Sequence, residues 1–521
     1  MNDKFYTNLS DHSFIKKIRD KKIGLEKESL RVNSEGVISF KKHPYSFGSP
    51  LTNKFITTDY SEALLEMVTP TFSTNEEVID FLNNIHSFVC KNLKEEILWS
   101  NSMPCVINGN LGIPIAYYGE SNIGRMKTTY RRGLGHRYGR IMQVIAGIHY
   151  NYSFGQSFWN EFKDFKQKKE AIKIFKSQSY FKILRNILRN NFIITYLFGS
   201  SPAICKSYLD GKKHELEKYD HSTMYKKFAT SLRLGDIGYQ NRKENDLGVD
   251  INFNSITQYV KSIENAITTR SDEYRKNGVY EEGYFKQLND FQLQIENEYY
   301  GLVRPKNNEI TQLNSIYELE NKGVEYIEMR AFDLNPFSPS GISVDQMNFL
   351  EIFILYSLLS STDLISEDDY KQINYNSIKI AHDGRDPECK VFYQGKEKNL
   401  KEVLIVIFKE LESLANIMDL NLNTKNYIKA INMQKEKIYD VSATPSHQII
   451  EEMKKNEFGF FELSLMQSEK NTKFFNDFDE NTKIREQLSN EAIDSLKRQK
   501  NIEANDSLDY YSYIKNQFKI K

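Results

Sequence analysis

The segment GLEKESLRV, residues 24–32, carries Glu26 and Glu28 inside an otherwise largely apolar stretch. Side chains of a β-strand alternate between its two faces, so both carboxylates point the same way, about 7 Å apart. Like charges that close repel each other unless a positive group lies between or beside them. The pair therefore predicts a cation site, and divalent metal ions suit paired carboxylates.

Two further acidic residues lie in a similar setting. Glu66 in ALLEMVTP, residues 63–70, is flanked by leucine, methionine and valine, and Asp59 precedes it in the same region. An unpaired carboxylate buried among such side chains would be costly. The setting indicates that the carboxylates face something polar or charged.

Two other strand-like segments also place polar residues on one face. In AGIHYNYSF, residues 146–154, His149 and Asn151 share a face, and in GVEYIEMRAFDL, residues 323–334, Glu328 shares one with Arg330. A lone strand histidine is more often structural, and Glu328 with Arg330 could equally be a surface ion pair. Taken together, carboxylates with one imidazole favour a hard divalent ion, Mg²⁺ or Mn²⁺.

A basic cluster follows in GRMKTTYRRGLGHRYGR, residues 124–140. Three of its glycines, Gly133, Gly135 and Gly139, predict a flexible loop, either solvated or able to place cations and backbone N–H groups on anions. The chain has neither GxGxxG nor GxxxxGK[ST], so a Rossmann or P-loop nucleotide site is unsupported. The basic residues of the cluster are Arg125, Lys127, Arg131, Arg132, Arg137 and Arg140.

The elements that must position these residues are of mixed type. Strand-like runs alternate with helical stretches such as 76–92 and 180–197, which favours an antiparallel α+β arrangement over regular βαβ units. Beyond about residue 343 the pattern becomes mostly helical, and 399–416 has leucines and isoleucines at helical spacing. We expect a core over residues 1–370 and a mostly helical C-terminal region, 371–521, packed on it.

Composition limits the possible functions. The 521 residues have a formal net charge of zero, which argues against a dedicated nucleic-acid binder. Four widely spaced cysteines, the lack of a signal-peptide core and the lack of a membrane-length apolar run predict a reduced, cytoplasmic protein without membrane partners.

Nine segments in chain order, spanning roughly residues 15 to 360, strongly resemble bacterial glutamate–cysteine ligases of the proteobacterial type. Beyond about residue 370 the resemblance is weak. The matching stretches are GLEKESLRV, ITTDYSEALLEMVTP, WSNSMPC, YYGESNIGRMKTTYRRGL, AGIHYNYSF, YLFGSSPAIC, ATSLRLGDIGY, QIENEYYGLVRPK and GVEYIEMRAFDLNPFSP.

The resemblance implies a glutamine-synthetase-like fold, in which a curved, mainly antiparallel sheet flanked by helices holds the site on its concave side. It implies an ATP-dependent ligase that joins L-glutamate to L-cysteine through γ-glutamyl phosphate, giving γ-glutamylcysteine, ADP and phosphate. This is the first step of glutathione biosynthesis. The implied partners are these small molecules with Mg²⁺ or Mn²⁺, and we expect a monomer or weak oligomer.

The resemblance also assigns roles to individual residues. Arg330 and Arg233 match positions near the transferred phosphoryl group and the substrate carboxylates. The positions that match metal ligands are Glu26, Glu28, Asp59, Glu66, His149 and Glu328. Those that match the cysteine pocket are Tyr60, Tyr130, Leu134, Tyr239 and Tyr300.

Two positions depart from the family pattern. Lys27 stands where arginine is expected, and strand alternation predicts that it lies on the face opposite the metals. Tyr60 stands where phenylalanine is common, which adds a hydroxyl near the cysteine pocket. The alternatives left open are a related ligase with another amine acceptor, a non-catalytic paralogue, and nucleic-acid binding through residues 125–140.

Overall fold

The computed structural model describes residues 13–104, 106–209, 211–238, 249–309, 315–361 and 363–518. Within these ranges it contains one large antiparallel sheet of seven strands, with strand order β11-β12-β5-β1-β3-β2 and β4 paired to β1. Its strands are β1 (Lys22–Asn33), β2 (Ile56–Thr58), β3 (Leu64–Val68), β4 (Glu96–Leu98), β5 (Ile148–Ser153), β11 (Val303–Lys306) and β12 (Tyr326–Phe332). The predicted α+β class with a mainly antiparallel sheet is confirmed.

Three small sheets complete the strands of the described chain. One joins β6 to β8 to β7, and the other two are the hairpins β9–β10 and β13–β14. Their bounds are Ala203–Cys205 for β6, Glu217–Lys218 for β7, Thr223–Tyr225 for β8, Tyr280–Glu281 for β9, Tyr284–Phe285 for β10, Lys390–Tyr393 for β13 and Lys396–Asn399 for β14.

Helices surround the large sheet, and their apolar faces supply most of the core. The first eight are α1 (Asn75–Asn92), α2 (Asn122–Tyr138), α3 (Gln156–Phe165), α4 (Ile172–Phe198), α5 (Lys206–Leu209), α6 (Ile256–Ala266), α7 (Asp272–Lys276) and α8 (Ser315–Lys322). Those that follow are α9 (Val344–Leu359), α10 (Glu367–Asp383), α11 (Leu400–Leu422), α12 (Asn426–Tyr439), α13 (Pro445–Asn456), α14 (Phe460–Asn476), α15 (Thr482–Ala504) and α16 (Tyr510–Phe518). The predicted helices at 76–92 and 180–197 lie inside α1 and α4.

Strand register divides the sheet into a polar and an apolar face. Glu26 of β1 lies opposite His149 of β5, and Glu28 lies opposite Glu66 of β3. On the other face, Lys27 of β1 pairs with apolar residues of both neighbouring strands, as alternation predicts, and its ammonium group contacts His86 Nε2 at 2.9 Å. The apolar face packs against α4 and α1, which leaves the polar face for the site.

The basic cluster at 124–140 is not a loop, which corrects the prediction. It forms most of α2, whose N-cap Ser121 accepts a hydrogen bond from the Gly124 N–H. Its internal glycines permit close packing: a Cβ at Gly133 would lie 2.1 Å from Gln294 Oε1, and one at Gly135 would lie 2.5 Å from the Tyr60 hydroxyl. Tertiary contacts of this kind outweigh the low helix propensity of glycine.

The C-terminal helices pack on the sheet-bearing part through buried polar contacts as well as apolar ones. In α14, Ser468 Oγ accepts from the Ser100 N–H at 2.9 Å. In α15, Ser495 Oγ accepts from the Ser49 N–H at 2.9 Å. In α16, the Tyr510 hydroxyl donates to Thr129 Oγ1 of α2 at 2.7 Å. None of the described helices is both long enough and apolar enough to cross a membrane.

One buried ion pair fixes the far end of β1 and yields a stability prediction. Arg31, fully buried, donates to both Glu96 oxygens at 2.9 Å and to the Lys41 and Glu62 carbonyls. Replacing Arg31 by methionine leaves Glu96 buried and uncompensated, so we expect the free energy of unfolding to fall by about 3–5 kcal/mol in urea titrations.

The exposed pair between Lys41 and Glu95, 2.7 Å apart, supplies the control for this prediction. Solvent screens both of its charges, so Lys41→Met should leave the urea midpoint nearly unchanged. If Arg31→Met and Lys41→Met lowered the free energy of unfolding equally, burial of the Arg31–Glu96 pair would not explain its contribution to stability.

Candidate active site

Glu26, Glu66 and His149 form a compact group at the centre of the polar face. One ligand atom from each of the three lies within 4.8 Å of the others. His149 Nδ1 is 2.9 Å from Glu26 Oε2, and its Nε2 is 3.6 Å from Glu28 Oε1. Asn151 holds the second Glu26 oxygen through its amide N–H at 2.9 Å. The three neighbouring strands β3, β1 and β5 thus bring the predicted residues together.

Glu328 joins this group from β12 together with cationic side chains. Its Oε1 is 3.3 Å from His149 Nδ1 and accepts a hydrogen bond from Arg330 Nη1 at 2.6 Å. Its Oε2 is 3.4 Å from Lys306 Nζ of the edge strand β11. Arg304, also on β11, lies directly opposite Glu328 in the register.

The pKa shifts reveal an uneven charge distribution along the face. Burial raises the pKa of Glu66 well above its usual value, and the charges of Glu26, Asp59 and Glu28 raise it further. Burial also raises the pKa of Glu28, despite the opposing effect of His149. Negative charge is therefore insufficiently compensated on the β1–β3 side of the cluster.

The β12 side shows the opposite balance. Burial works to raise the pKa of Glu328, but Lys306, Arg330, Arg304 and His149 together hold it well below the usual value. Glu328 is therefore firmly ionised. The face thus changes from anionic in the middle to cationic at the edge formed by β11 and β12.

At the end of the polar face away from β11 and β12, helix α2 contributes a second pair of cationic side chains. Lys127 and Arg131, one turn apart, both lie over the Tyr118 ring, at 5.3 and 4.5 Å from its centroid. Arg131 Nε donates to the Asp59 carbonyl. Burial lowers the pKa of Lys127 to about 8, with Arg131 acting in the same direction. Sequence reasoning placed these residues in a basic cluster without giving either a position in the site.

Arg233 reaches the cluster from a 3₁₀ turn, Leu232–Leu234. Its Nη2 donates to the Arg330 carbonyl at 3.3 Å, and its Nη1 is 3.6 Å from Asp333 Oδ1. Gly147 makes this approach possible, because a Cβ there would lie 2.2 Å from Arg233 Nη2. The Gly147 N–H also donates to Glu28 Oε2 at 2.7 Å. One glycine thus joins the arginine to the acidic cluster.

The residues predicted for a cysteine pocket lie around α2. Tyr60 and Leu134 are buried, and Tyr130 is half-buried on the same helix. The Tyr300 hydroxyl donates to Gln143 Oε1 at 2.8 Å. Tyr239 lies outside the described residues. The structure therefore places four of the five in or beside α2, where Tyr60 approaches Gly135 and the Tyr300 ring contacts that of Tyr138.

The buried hydroxyl of Tyr60 yields a prediction about the stability of the fold. Its side chain is 1% exposed, and its hydroxyl has no hydrogen-bond partner among the described residues. Tyr60→Phe removes a buried polar group without a partner, so we expect the free energy of unfolding to rise by up to about 1 kcal/mol. Urea titration measures this change.

Tyr180→Phe is the matched control for Tyr60→Phe. The buried Tyr180 hydroxyl donates to the Glu325 carbonyl at 2.9 Å, so its removal should lower the stability. A loss of stability in both variants would show that the Tyr60 hydroxyl has a partner in solution.

The donor set fits a hard divalent cation. It consists of carboxylates with one imidazole, and the raised pKa of Glu66 arises from burial and crowded negative charge that a cation would neutralise. Mg²⁺ and Mn²⁺ prefer such oxygen-rich ligand sets.

Comparisons with known proteins agree with this geometry. A family model described as glutamate–cysteine ligase matches residues 6–380. The glutamate–cysteine ligase of Alcanivorax borkumensis is 40% identical over 501 residues, which is 95% of each chain. The chain belongs to the glutamate–cysteine ligase family.

Two further members of the glutamate–cysteine ligase family match over nearly the whole length. The protein of that name from Pseudomonas putida KT2440 is 37% identical over 491 residues, 94% of this chain and 93% of the relative. The crystal structure of glutamate–cysteine ligase from Francisella tularensis in complex with AMP has a TM-score of 0.89 at 34% identity, over 96% of this chain and 98% of that one. The match therefore extends into the C-terminal helices, where sequence resemblance alone was weak.

Three further residues that lie at the site were not predicted as site residues from the sequence. Lys306 and Arg304 lie on β11, and both stand opposite residues of β12. A usable signal was present, since residues two apart in VRPK share a strand face. Asn151 was placed on the correct face but was given no role.

Proposed function

We propose that the chain catalyses the ATP-dependent ligation of the L-glutamate γ-carboxylate to the amine of L-cysteine, the first step of glutathione biosynthesis. The observation that carries the proposal is the anionic cluster around Glu26, Glu66 and His149, bordered by Arg330. It lies in a chain that a relative named glutamate–cysteine ligase matches over 95% of its length. The products are γ-glutamylcysteine, ADP and phosphate.

The chemical difficulty is that a carboxylate does not acylate an amine in water. Transfer of the ATP γ-phosphoryl group to the glutamate side chain turns one carboxylate oxygen into a leaving group. The cysteine amine then attacks the acyl carbon of γ-glutamyl phosphate and expels phosphate. Both steps gather negative charge, so fixed cationic groups are required where that charge develops.

Several cationic residues of the chain lie where they would stabilise this developing charge. Arg330 and Arg233 lie on the rim of the anionic cluster, where their planar guanidinium groups can make bidentate contacts with phosphoryl and carboxylate oxygens. Glu328 holds Arg330 in place through the 2.6 Å hydrogen bond. Lys306 adds positive charge at the β11 edge.

Divalent metal ions complete the site in this proposal. When bound, Mg²⁺ neutralises ATP phosphate oxygens that would otherwise be repelled by the carboxylates. The residues that would hold such ions are Glu26, Glu28, Asp59, Glu66, His149 and Glu328. In the absence of cations, the raised pKa of Glu66 shows that these side chains crowd negative charge.

The α2 end of the face is the proposed cysteine side. Tyrosine hydroxyls can hydrogen-bond a carboxylate while their rings pack against a small thiol side chain. The proposed cysteine-side residues are Tyr60, Tyr130, Leu134, Tyr239 and Tyr300. We also propose that residues 1–370 form the catalytic core, that 371–521 support it, and that the enzyme acts in the cytoplasm.

ADP release measured in a coupled assay tests the proposed function. With glutamate, ATP and Mg²⁺ present, we expect release to depend on cysteine and to fall when cysteine is replaced by glycine, alanine or ammonia. Mass spectrometry should identify γ-glutamylcysteine as the product. Glutamate-dependent release that is indifferent to cysteine would instead indicate a ligase with another amine acceptor.

A further inference from the structure

The segment that carries Arg233, residues 230–236, lies against the last turn of helix α10, and we call it the Arg233 turn. The Ala381 carbonyl of α10 accepts hydrogen bonds from the Thr230 N–H at 3.0 Å and from the Ser231 N–H at 3.3 Å. The Thr230 hydroxyl donates to the Ile380 carbonyl at 2.7 Å. The last carbonyl groups of a helix need partners outside its own hydrogen-bond ladder. The start of the turn supplies such partners and is thereby fixed to α10.

Arg385, two residues beyond the end of α10, holds the chain that leads into the turn. Its buried guanidinium donates to the Ala229 carbonyl through Nε at 3.0 Å and to the Lys227 carbonyl through Nη2 at 2.7 Å. Its backbone N–H donates to the Phe228 carbonyl at 3.0 Å. Three successive carbonyl groups are thus bound by one residue, so this part of the backbone has little freedom to shift relative to α10.

A side-chain pair holds the other end of the turn. His382 of α10 places Nε2 2.5 Å from Asp236 Oδ1, and the two side chains are only 10% and 30% exposed. An ionised carboxylate can only accept, so the imidazole donates. Gly235 allows this approach, because a Cβ there would lie 3.0 Å from His382 Nε2. His382 Nδ1 is buried without a hydrogen-bond partner among the described residues, so the imidazole bonds through Nε2 alone.

The middle of the turn is attached to the sheet instead. Ser231 Oγ donates to Asp333 Oδ1 at 3.0 Å, just after β12, and accepts from the Leu234 N–H at 3.4 Å. Arg233 Nη1 lies 3.6 Å from the same Asp333 oxygen, and Arg233 Nη2 donates to the Arg330 carbonyl. The turn therefore bridges the sheet, which carries the anionic cluster, and helix α10. A shift of the turn relative to α10 would move the guanidinium relative to the cluster.

We infer that His382 and Asp236 form a positioning pair, which holds the Arg233 turn at the edge of the anionic cluster. The inference rests on the proposed function, since that function gives Arg233 its place beside the phosphoryl and carboxylate oxygens. Bidentate contacts require one orientation of the guanidinium plane, and a misplacement of about 1 Å can remove a large part of the rate. Through His382, the C-terminal region takes part in building the site as well as packing on it.

The first measurement compares two substitutions of His382 by their kcat for ADP release with all substrates saturating. His382→Leu removes the donor, so we expect kcat to fall about tenfold. Its urea midpoint should fall by much less than that of Arg31→Met, because Asp236 keeps partial access to water. His382→Gln returns an N–H donor close to the position of Nε2, so its kcat should lie within about threefold of the wild type.

A double-mutant cycle with Arg233→Gln separates positioning of Arg233 from general damage to the fold. Residues that act through one another have non-additive effects, whereas independent effects multiply in the rate. In the Arg233→Gln background, His382→Leu should therefore lower kcat by less than about twofold. A repeat of the full loss in that background would show that His382 does not act through Arg233, and it would overturn the inference.

Lys379→Met is the matched control, since Lys379 pairs with Asp383 on the same helix at 3.1 Å. It should keep the wild-type kcat, and a loss equal to that of His382→Leu would overturn the inference. If His382→Leu does not fold, Asp236→Ala removes the same contact from the turn and enters the same cycle. Wild-type kcat in either variant would also overturn it. A wild type without cysteine-dependent ADP release would instead contradict the proposed function.

Discussion

Glu328→Gln is expected to lower kcat for ADP release by about 10²–10³-fold while the protein remains folded. Glu328 is 2% exposed and contacts His149, Arg330 and Lys306 at once, so its charge balances three groups. Strong cationic surroundings hold the pKa of Glu328 well below the usual value, which means that the wild-type group is ionised throughout the working pH range. A neutral amide cannot provide that charge.

Steady-state assays across a range of Mg²⁺ concentrations measure this loss. An amide is a poorer ligand for Mg²⁺ than a carboxylate, so higher Mg²⁺ should restore only part of the rate. Glu325→Gln is the matched control, because Glu325 precedes β12 on its other face and pairs with Lys176. Near-normal turnover of Glu328→Gln at low Mg²⁺ would show that the metal site lies elsewhere.

The polar face was predictable because strand alternation is a local property of the sequence. Glu26 with Glu28, and His149 with Asn151, each share a face within a single strand, and the structure keeps both pairs on the polar side. The opposite orientation of Lys27 follows from the same rule.

The register between strands could not be derived from the residues alone. The pairing of Glu26 with His149 joins positions more than a hundred residues apart, and no pattern inside either segment specifies it. Family resemblance implied only that both residues belong to one metal site.

The errors in prediction have physical causes that can be named. The sequence predicts a loop where α2 forms because Gly133 and Gly135 lower helix propensity, yet both positions are needed for contact with Gln294 and Tyr60. The sequence pattern does not predict strand β11, and Pro305 weakens its strand signal. Proline is tolerated there since β11 is the edge strand of the large sheet. Lys306 was missed with it.

Arg330→Lys is expected to lower kcat by about 10²-fold while changing the KM for ATP by less than about threefold. Arg330 Nη1 contacts Glu328 at 2.6 Å and lies 3.5 Å from His149, so the guanidinium is held at the edge of the anionic cluster. Its planar fork can meet two oxygens of a transferring phosphoryl group, whereas an ammonium group acts as a single point charge. Charge on those oxygens develops during transfer, so the loss should appear in the rate rather than in ground-state binding.

Initial rates at varied ATP, with glutamate and cysteine saturating, separate the two effects of Arg330→Lys. Arg125→Lys is the matched control, because Arg125 is an exposed residue of α2 that stacks on Tyr510 with its guanidinium 4.2 Å from the ring centroid. That control should retain the wild-type kcat and KM. A large rise in the KM for ATP with kcat preserved would assign Arg330 to ground-state nucleotide binding. Stabilisation of developing charge would then fall to Arg233, which also lies beside the cluster and donates to the Arg330 carbonyl.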